Sequence, residues 1–308
     1  MNTTVDMAMA IGRLRLANPV IVASGTFGYG EEYASLVDVD SLGALVTKGV
    51  SLLPRQGNPA PRIAETPSGM LNSIGLQNPG IDVFIQEKLP WLRGLKTQVI
   101  VNILGNTIEE YAALAKRLDT VEGVDALEVN ISCPNVNRGG IAFGSDPALA
   151  YEVAKQVRAH TGKPVLVKLS PNVTDLVAVA VRVAETGVDG LTLINTVRGM
   201  AIDYRTGRPM LGNVIGGLSG PAIRPIAVRA VYEVSQALDI AIVGSGGVVE
   251  WRDAVEFMRA GASAVQVGSA NFRNPKAAIE VLHGLDEYLK QNRHISVREL
   301  VKTVILDS

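Results

Sequence analysis

The stretch Glu122-Gly123-Val124-Asp125-Ala126-Leu127 puts a glycine where a helix would stop and an apolar run directly behind it. The pattern returns at Thr186-Gly187-Val188-Asp189-Gly190-Leu191 and again at Ala260-Gly261-Ala262-Ser263-Ala264-Val265. Glycine is the natural left-handed helix stop, so each echo reads as helix, stop, strand. Working outward, short apolar, β-branched runs occur at 19–23, 44–47, 98–101, 126–131, 164–167, 190–194, 240–243 and 264–267. Most are separated by segments with helical spacing. Repeated strand–helix units of this kind imply a parallel sheet, and about eight of them imply a closed (β/α)8 TIM barrel. An open doubly wound sheet is the structural alternative; the even count favours the barrel. Residues 7–16 alternate around a glycine and read as a short N-terminal hairpin. The whole chain, 1–308, is expected to form one domain.

Helix signals fit this frame. Thr107-Ile108-Glu109-Glu110 is a capping box, followed at helical spacing by Tyr111, Leu114, Ala115 and Leu118. Ser145-Asp146-Pro147 caps a second helix, and Thr174, Pro221, the segment 250–260 and Asn274-Pro275 mark others. The segment 81–95 also reads as helix. Two long stretches, 50–80 and 197–220, read as irregular. Loops of that length inside a compact domain are usually functional, and here they fall on the C-terminal face of the barrel.

Composition excludes several classes. With 29 basic and 30 acidic residues among 308, nothing favours nucleic acid or an anionic membrane surface as partner. A single cysteine rules out a disulfide framework, and an iron–sulfur cluster held by thiolates of this chain alone. The three histidines, His160, His283 and His294, show no metal-ligand spacing. Residues 1–7 lack the basic and apolar regions of a signal peptide, and no run approaches about 18 apolar residues. A cytoplasmic protein is expected.

Barrel enzymes keep their chemistry at the carboxyl ends of the strands. Those ends read Ser24, Lys48, Asn102, Asn130, Lys168, Asn195, Gly246 and Gly268. Singly, each has an ordinary explanation as a turn cap or a solvated lysine; together they describe a polar, partly cationic mouth. After the seventh and eighth strands, Ser245-Gly246-Gly247 and Gly268-Ser269 would aim unobstructed backbone N–H groups at an anion, as in the phosphate site of such barrels. Gly244-Ser245-Gly246-Gly247 is not a dinucleotide fingerprint, since no glycine follows three residues after Gly246. The fourth strand breaks off into Ser132-Cys133-Pro134-Asn135, and a glycine- and asparagine-rich loop follows to Gly144. A lone cysteine is most often a small buried hydrophobe. At the root of a polar loop it is also a candidate acid, base or nucleophile. Two lysines at strand ends leave a Schiff-base aldolase acting on a phosphorylated substrate open as well.

Two motifs narrow the choice. Asn130-Ile131-Ser132-Cys133-Pro134-Asn135, with Gly139-Gly140-Ile141-Ala142-Phe143-Gly144 behind it, resembles the dihydroorotate dehydrogenases. So does Ala64-Glu65-Thr66-Pro67-Ser68-Gly69-Met70-Leu71-Asn72-Ser73-Ile74-Gly75-Leu76-Gln77-Asn78-Pro79-Gly80, and the likeness runs in order from about Pro19 to Ser269. The resemblance implies a flavoprotein of pyrimidine biosynthesis that oxidises dihydroorotate to orotate. One FMN per chain would sit on the barrel mouth. Its phosphate would lie on Gly246, Gly247, Gly268 and Ser269, and its ring and ribityl chain against Ser24, Lys48, Gly49, Asn102, Asn130, Lys168, Ile194 and Gly220. Substrate would be held by Lys48, Asn72, Ser73, Ile74, Gly75, Leu76, Asn130, Asn195 and Thr196, with Cys133 as the base. The motifs look more like the NAD-linked class than the fumarate-linked homodimer, which remains the alternative. In the NAD-linked class, FAD and a 2Fe–2S cluster reside on a partner subunit, and the assembly is a heterotetramer. The quinone-linked class carries a membrane-associating amino-terminal segment and usually serine as base, and neither is visible here.

Overall fold

A computed structural model of the chain describes residues 5–132, 134–135 and 141–306. Eight parallel strands close into a barrel. In chain order they are β1 (Val20–Val22), β2 (Ala44–Val46), β3 (Gln98–Ile103), β4 (Ala126–Asn130), β5 (Val165–Leu169), β6 (Gly190–Leu193), β7 (Ala241–Ser245) and β8 (Ala264–Val267). Each pairs with its neighbours in sequence order, and β8 returns to β1 with Gln266 opposite Ile21. The expected TIM barrel is therefore the fold.

The outer ring is built from α1 (Ile108–Asp119), α2 (Pro147–Ala159), α3 (Leu176–Ala184), α4 (Arg224–Ala237), α5 (Trp251–Ala260) and α6 (Ala277–Gln291). Tyr111, Leu114, Ala115 and Leu118 form the fully buried stripe of α1, as their spacing requires. Thr107 caps that helix by accepting from Glu110 N at 3.3 Å. The Glu110 carboxylate reaches back to Asn106 N, one residue earlier than the box predicts. Asp146 caps α2 through Ala148 N and Leu149 N, and Asp175, not Thr174, caps α3.

Alternation along parallel strands sends every second side chain into the barrel, and alternate strands contribute to each layer. The lowest two layers are apolar: Ala44, Ala126, Gly190 and Ala264, then Ile21, Ile100, Leu166 and Val243. Most of these pack with the N-terminal hairpin. That hairpin, Met9–Ile11 with Leu14–Leu16, closes the bottom of the barrel. Its turn glycine, Gly12, has φ 55, and a Cβ there would stand 2.6 Å from Cβ of Asp189, so only glycine fits. The next layer up is Val46, Glu128, Thr192 and Gln266, and above it stand Ala23, Asn102, Lys168 and Ser245. The barrel thus turns from apolar to polar about halfway along its axis.

The two long stretches expected to be irregular are partly ordered. Ile63–Thr66, Gly69–Asn72, Val197–Gly199 and Gly216–Ser219 form a four-stranded antiparallel sheet, with Gly217 opposite Asn72. The strands are short and rich in glycine and polar residues, and the two local pairs are joined to each other across more than a hundred residues. Neither β-propensity nor local periodicity announces them. A four-residue helix, Ala270–Arg273, also precedes α6, which begins at Ala277 rather than at Asn274.

Candidate active site

A cavity of about 500 Å³ opens at the carboxyl ends of the strands, within the range of roughly 300–1,000 Å³ usual for cofactor and substrate sites. Its floor comes from the barrel: Ser24 after β1, Lys48 and Gly49 after β2, Asn102 on β3, Asn130 on β4, Lys168 on β5, Ile194 after β6. One side is the turn after β7, Gly246 and Gly247, next to Gly268 and Ser269 after β8 and to Gly220. The loop Asn72, Ser73, Ile74, Gly75 and Leu76, with Asn195 and Thr196, also lines the cavity. All the described residues named above for FMN or substrate line this cavity. Cys133 lies outside the described residues, as do Asn137, Arg138, Gly139 and Gly140.

Local structure explains how each group is held. The loop bearing Asn72 to Leu76 continues from the antiparallel sheet, where Asn72 Nδ2 donates to Gly217 O at 3.3 Å. The segment before the sheet backs it: Asn58 Nδ2 donates to Ser73 Oγ at 2.8 Å, and Ser73 N to Arg62 O at 2.7 Å. Gly75, at φ 72, passes so close to Asn58 N that a Cβ would stand 2.4 Å away. Leu76 beside it takes φ 58, a left-handed conformation costly for leucine and found mostly where a site requires it.

A network of neutral groups orders the fourth and sixth strand ends. Asn195 Nδ2 donates to Ser132 Oγ at 2.9 Å and to Asn130 Oδ1 at 3.3 Å, while its own Oδ1 accepts from Thr196 N at 2.7 Å. Asn130 Oδ1 also accepts from Ser132 N at 3.2 Å, and Tyr111 donates its hydroxyl to Asn130 O at 2.7 Å. Sequence reading named Asn130, Asn195 and Thr196 but assigned no part to Ser132 or Tyr111. By spacing, Tyr111 is one more apolar residue of its helix. Ser132 stood in the quoted motif, and its role needed the neighbour from β6.

The two lysines differ. Lys168 is inside strand β5, only 7% exposed, with Nζ donating to Gln266 Oε1 at 3.2 Å; it does not reach to solvent as strand-end lysines commonly do. Lys48 is half-buried in the cavity, and desolvation pushes its ammonium below the ordinary lysine range. Nearby Glu32 opposes the fall and Arg62 adds to it.

Sequence motif, barrel and cavity agree with the wider comparison. The family model described as dihydroorotate dehydrogenase matches residues 7–289. The chain belongs to the dihydroorotate dehydrogenase family. Among curated relatives, the dihydroorotate dehydrogenase B (NAD(+)) catalytic subunit of Geotalea uraniireducens is 55% identical over 97% of this chain and 98% of that protein. Proteins of the same name from Geotalea daltonii and Desulforamulus reducens are each 56% identical over 96% of this chain and 97% of theirs. Membership of the dihydroorotate dehydrogenases extends across the barrel, the hairpin and most of α6, since the match spans all three.

The phosphate-side glycines are of two kinds. Gly247 has φ 78, and a Cβ there would meet Gly220 O and Arg224 Cβ, both at 2.8 Å; backbone geometry alone demands glycine. Gly268 has no positive φ, and a Cβ would make only ordinary contacts, with Ala23 Cβ at 3.5 Å and Thr26 Cγ2 at 3.9 Å. Glycine there leaves room on the cavity side. The segment after it is the four-residue Ala270–Arg273 helix, whereas Gly246 and Gly247 precede the longer α5, which starts at Trp251.

Three buried inward residues carry no role in the sequence analysis: Glu128 (which opens the stretch leading to Asn130), Thr192 and Gln266. Period-2 alternation was the available signal. Glu128 stands two residues before Asn130 on the same face of one strand, so an inward Asn130 implies an inward Glu128. Among the described residues there is no group of three His, Cys, Asp or Glu able to hold a metal, and no helix long and apolar enough to cross a membrane.

Proposed function

We propose that this chain is the FMN-containing catalytic subunit of an NAD-linked dihydroorotate dehydrogenase. It would oxidise dihydroorotate to orotate in pyrimidine biosynthesis and hand the electrons to a partner subunit. The observation that carries the reading is near-full-length identity of 55–56% to proteins named dihydroorotate dehydrogenase B (NAD(+)) catalytic subunit. The residues suit FMN. Asn102 Oδ1 is buried at the cavity floor with no hydrogen-bond partner among the described residues, an acceptor suited to a ligand N–H. Gly268 leaves open the space that a side chain would fill beside Gly246, Gly247 and Ser269. Backbone N–H groups of those turns would hold the phosphate, and Ser24, Gly49, Asn130, Ile194 and Gly220 would bound the ring and ribityl chain.

FMN, when bound, supplies the acceptor for the hydride leaving C6 of dihydroorotate. Cys133, as its thiolate, takes the proton from C5 and becomes the thiol; a cysteine, with a reference pKa near 8.5, can lose that proton again close to neutrality. Asn72, Asn130, Asn195 and Thr196 offer donors and acceptors without net charge, which suits a planar pyrimidine. Their orientations are already set by Ser132 and Gly217, so little ordering is left for substrate to impose. Lys48 has no hydrogen bond or ion pair from its ammonium among the described residues and is free to meet the substrate carboxylate. Lys168 brings positive charge to the floor, where negative charge grows on reduction.

The chain has one cysteine and no dinucleotide fingerprint, so FAD and a 2Fe–2S cluster would belong to the partner, in a heterotetramer of two chains of each kind. The test is kinetic. The purified chain alone should be yellow and reduce an artificial dye with dihydroorotate, but reduce NAD only when the partner is added. Rapid turnover with fumarate by the isolated chain, with no gain from the partner, would move it to the fumarate-linked homodimeric class.

A further inference from the structure

Beneath the cavity floor lies a polar layer that no part of the proposed reaction uses. Glu128 on β4 is completely buried and does not line the cavity. Its Oε1 accepts from Asn102 Nδ2 at 2.8 Å; its Oε2 accepts from Thr192 Oγ1 at 2.9 Å and from Gln266 Nε2 at 2.7 Å. The Lys168 ammonium stands 4.0 Å from Oε1 and donates to the other end of the Gln266 amide at 3.2 Å. Three accepted bonds and a neighbouring cation are the pattern of a carboxylate.

Packing does not ask for this charge. The layer directly below, Ile21, Ile100, Leu166 and Val243, fills the same barrel with hydrocarbon. A buried ion pair is generally no more stabilising than apolar residues of equal volume. The arrangement has consequences above, however. A carboxylate only accepts, so Glu128 obliges Asn102 to point its Nδ2 downward. Asn102 Oδ1 then has no partner among the described residues and lies beside Gly49, where a Cβ would stand 3.1 Å from it. Through Gln266, the same carboxylate also holds Lys168 in place and offsets its charge.

We infer that Glu128 is a positioning residue for the flavin: it fixes the donor–acceptor sense of Asn102 and the place of Lys168, and its negative charge sets the reduction potential from beneath the cavity floor. The inference rests on the reading of the cavity as an FMN site. Negative charge near a ring that gains negative charge disfavours the reduced form, so removing it favours reduction.

The test is the FMN midpoint potential of the holoenzyme and of the variants Glu128→Gln, Lys168→Gln, their double variant and Thr192→Val. Loss of the carboxylate charge should raise the potential both in the wild-type and in the Lys168→Gln background. The expected size is about a tenfold gain in affinity for reduced over oxidised FMN, about 30 mV for a two-electron couple. Thr192→Val removes a hydrogen bond without charge and should leave the potential at the wild-type value. If Glu128→Gln does not fold, the electrically neutral double variant against Lys168→Gln makes the same comparison. An unchanged potential with FMN bound, or an equal shift in Thr192→Val, overturns the role of Glu128 and leaves the proposed function standing. A wild-type chain that takes up no FMN overturns both.

Discussion

Asp189, at the start of β6, accepts from both Nε and Nη2 of Arg13, each at 2.8 Å, across 176 residues of sequence. The carboxylate also accepts from Arg13 N at 3.1 Å and from Val165 N at 2.9 Å, so one side chain ties the N-terminal hairpin to two barrel strands. Burial pushes this carboxyl upward, but the bonds from Arg13 and Val165 outweigh it and hold it below the usual carboxylate range.

Asp189→Asn should therefore destabilise the barrel by about 1.5–3 kcal/mol at neutral pH, the worth of hydrogen bonds to a charged group. A depressed native pKa contributes stability that is complete above the unfolded value near 3.9 and disappears as pH falls through the native one. The gap between wild type and variant, read by urea unfolding, should be full at pH 7 and smaller at pH 3.5. An equal gap at both would show that the ionised form contributes nothing special.

Gly268→Val separates cofactor binding from folding. The added Cβ meets only ordinary contact, so the protein should melt close to wild type without flavin. The branched methyls project into the cavity, and the ratio of bound FMN to protein after purification should collapse. Full occupancy would remove Gly268 from the phosphate cradle. Gly247→Ala is the contrasting case, because strain at φ 78 and contact with Gly220 O should lower stability itself.

Lys48→Met should weaken orotate binding roughly ten- to a hundredfold, the equivalent of losing a hydrogen bond to a charged group. Burial has lowered the Lys48 pKa. Orotate affinity in the wild type should then decline at alkaline pH earlier than a solvated lysine would dictate, whereas the variant, having nothing to titrate there, should show no such decline. Equilibrium titration of the quenched flavin fluorescence gives both curves. Identical pH dependence in the two proteins would assign the carboxylate contact elsewhere.

Cys133→Ser should leave FMN bound and slow its reduction by dihydroorotate severely near neutral pH. Serine is a far weaker acid, so remaining activity should keep rising with pH beyond the wild-type plateau. Stopped-flow reduction in a single turnover isolates the step. An unchanged rate would take Cys133 out of proton transfer.

Much of the architecture could be read directly from the chain. Gly123, Gly187 and Gly261 all take positive φ between a helix and the next strand, although only Gly261 caps its helix directly; Thr120 and Glu185 end the other two. The apolar, β-branched runs behind them must be buried on both faces; those constraints are local, and eight repeats leave a closed barrel as the natural solution. The strand-end residues followed, because the carboxyl ends of parallel strands share one mouth, and Ser24, Lys48, Asn102, Asn130, Lys168 and Gly268 do line one cavity. Tertiary structure alone decided the rest. The sheet that carries Asn72 pairs segments more than a hundred residues apart through short, glycine-rich strands, and no local periodicity encodes such pairing. Glu128, Thr192 and Gln266 are unremarkable in sequence; they become one network only when β4, β6 and β8 curve round to face a common axis, bringing three polar side chains within hydrogen-bond distance.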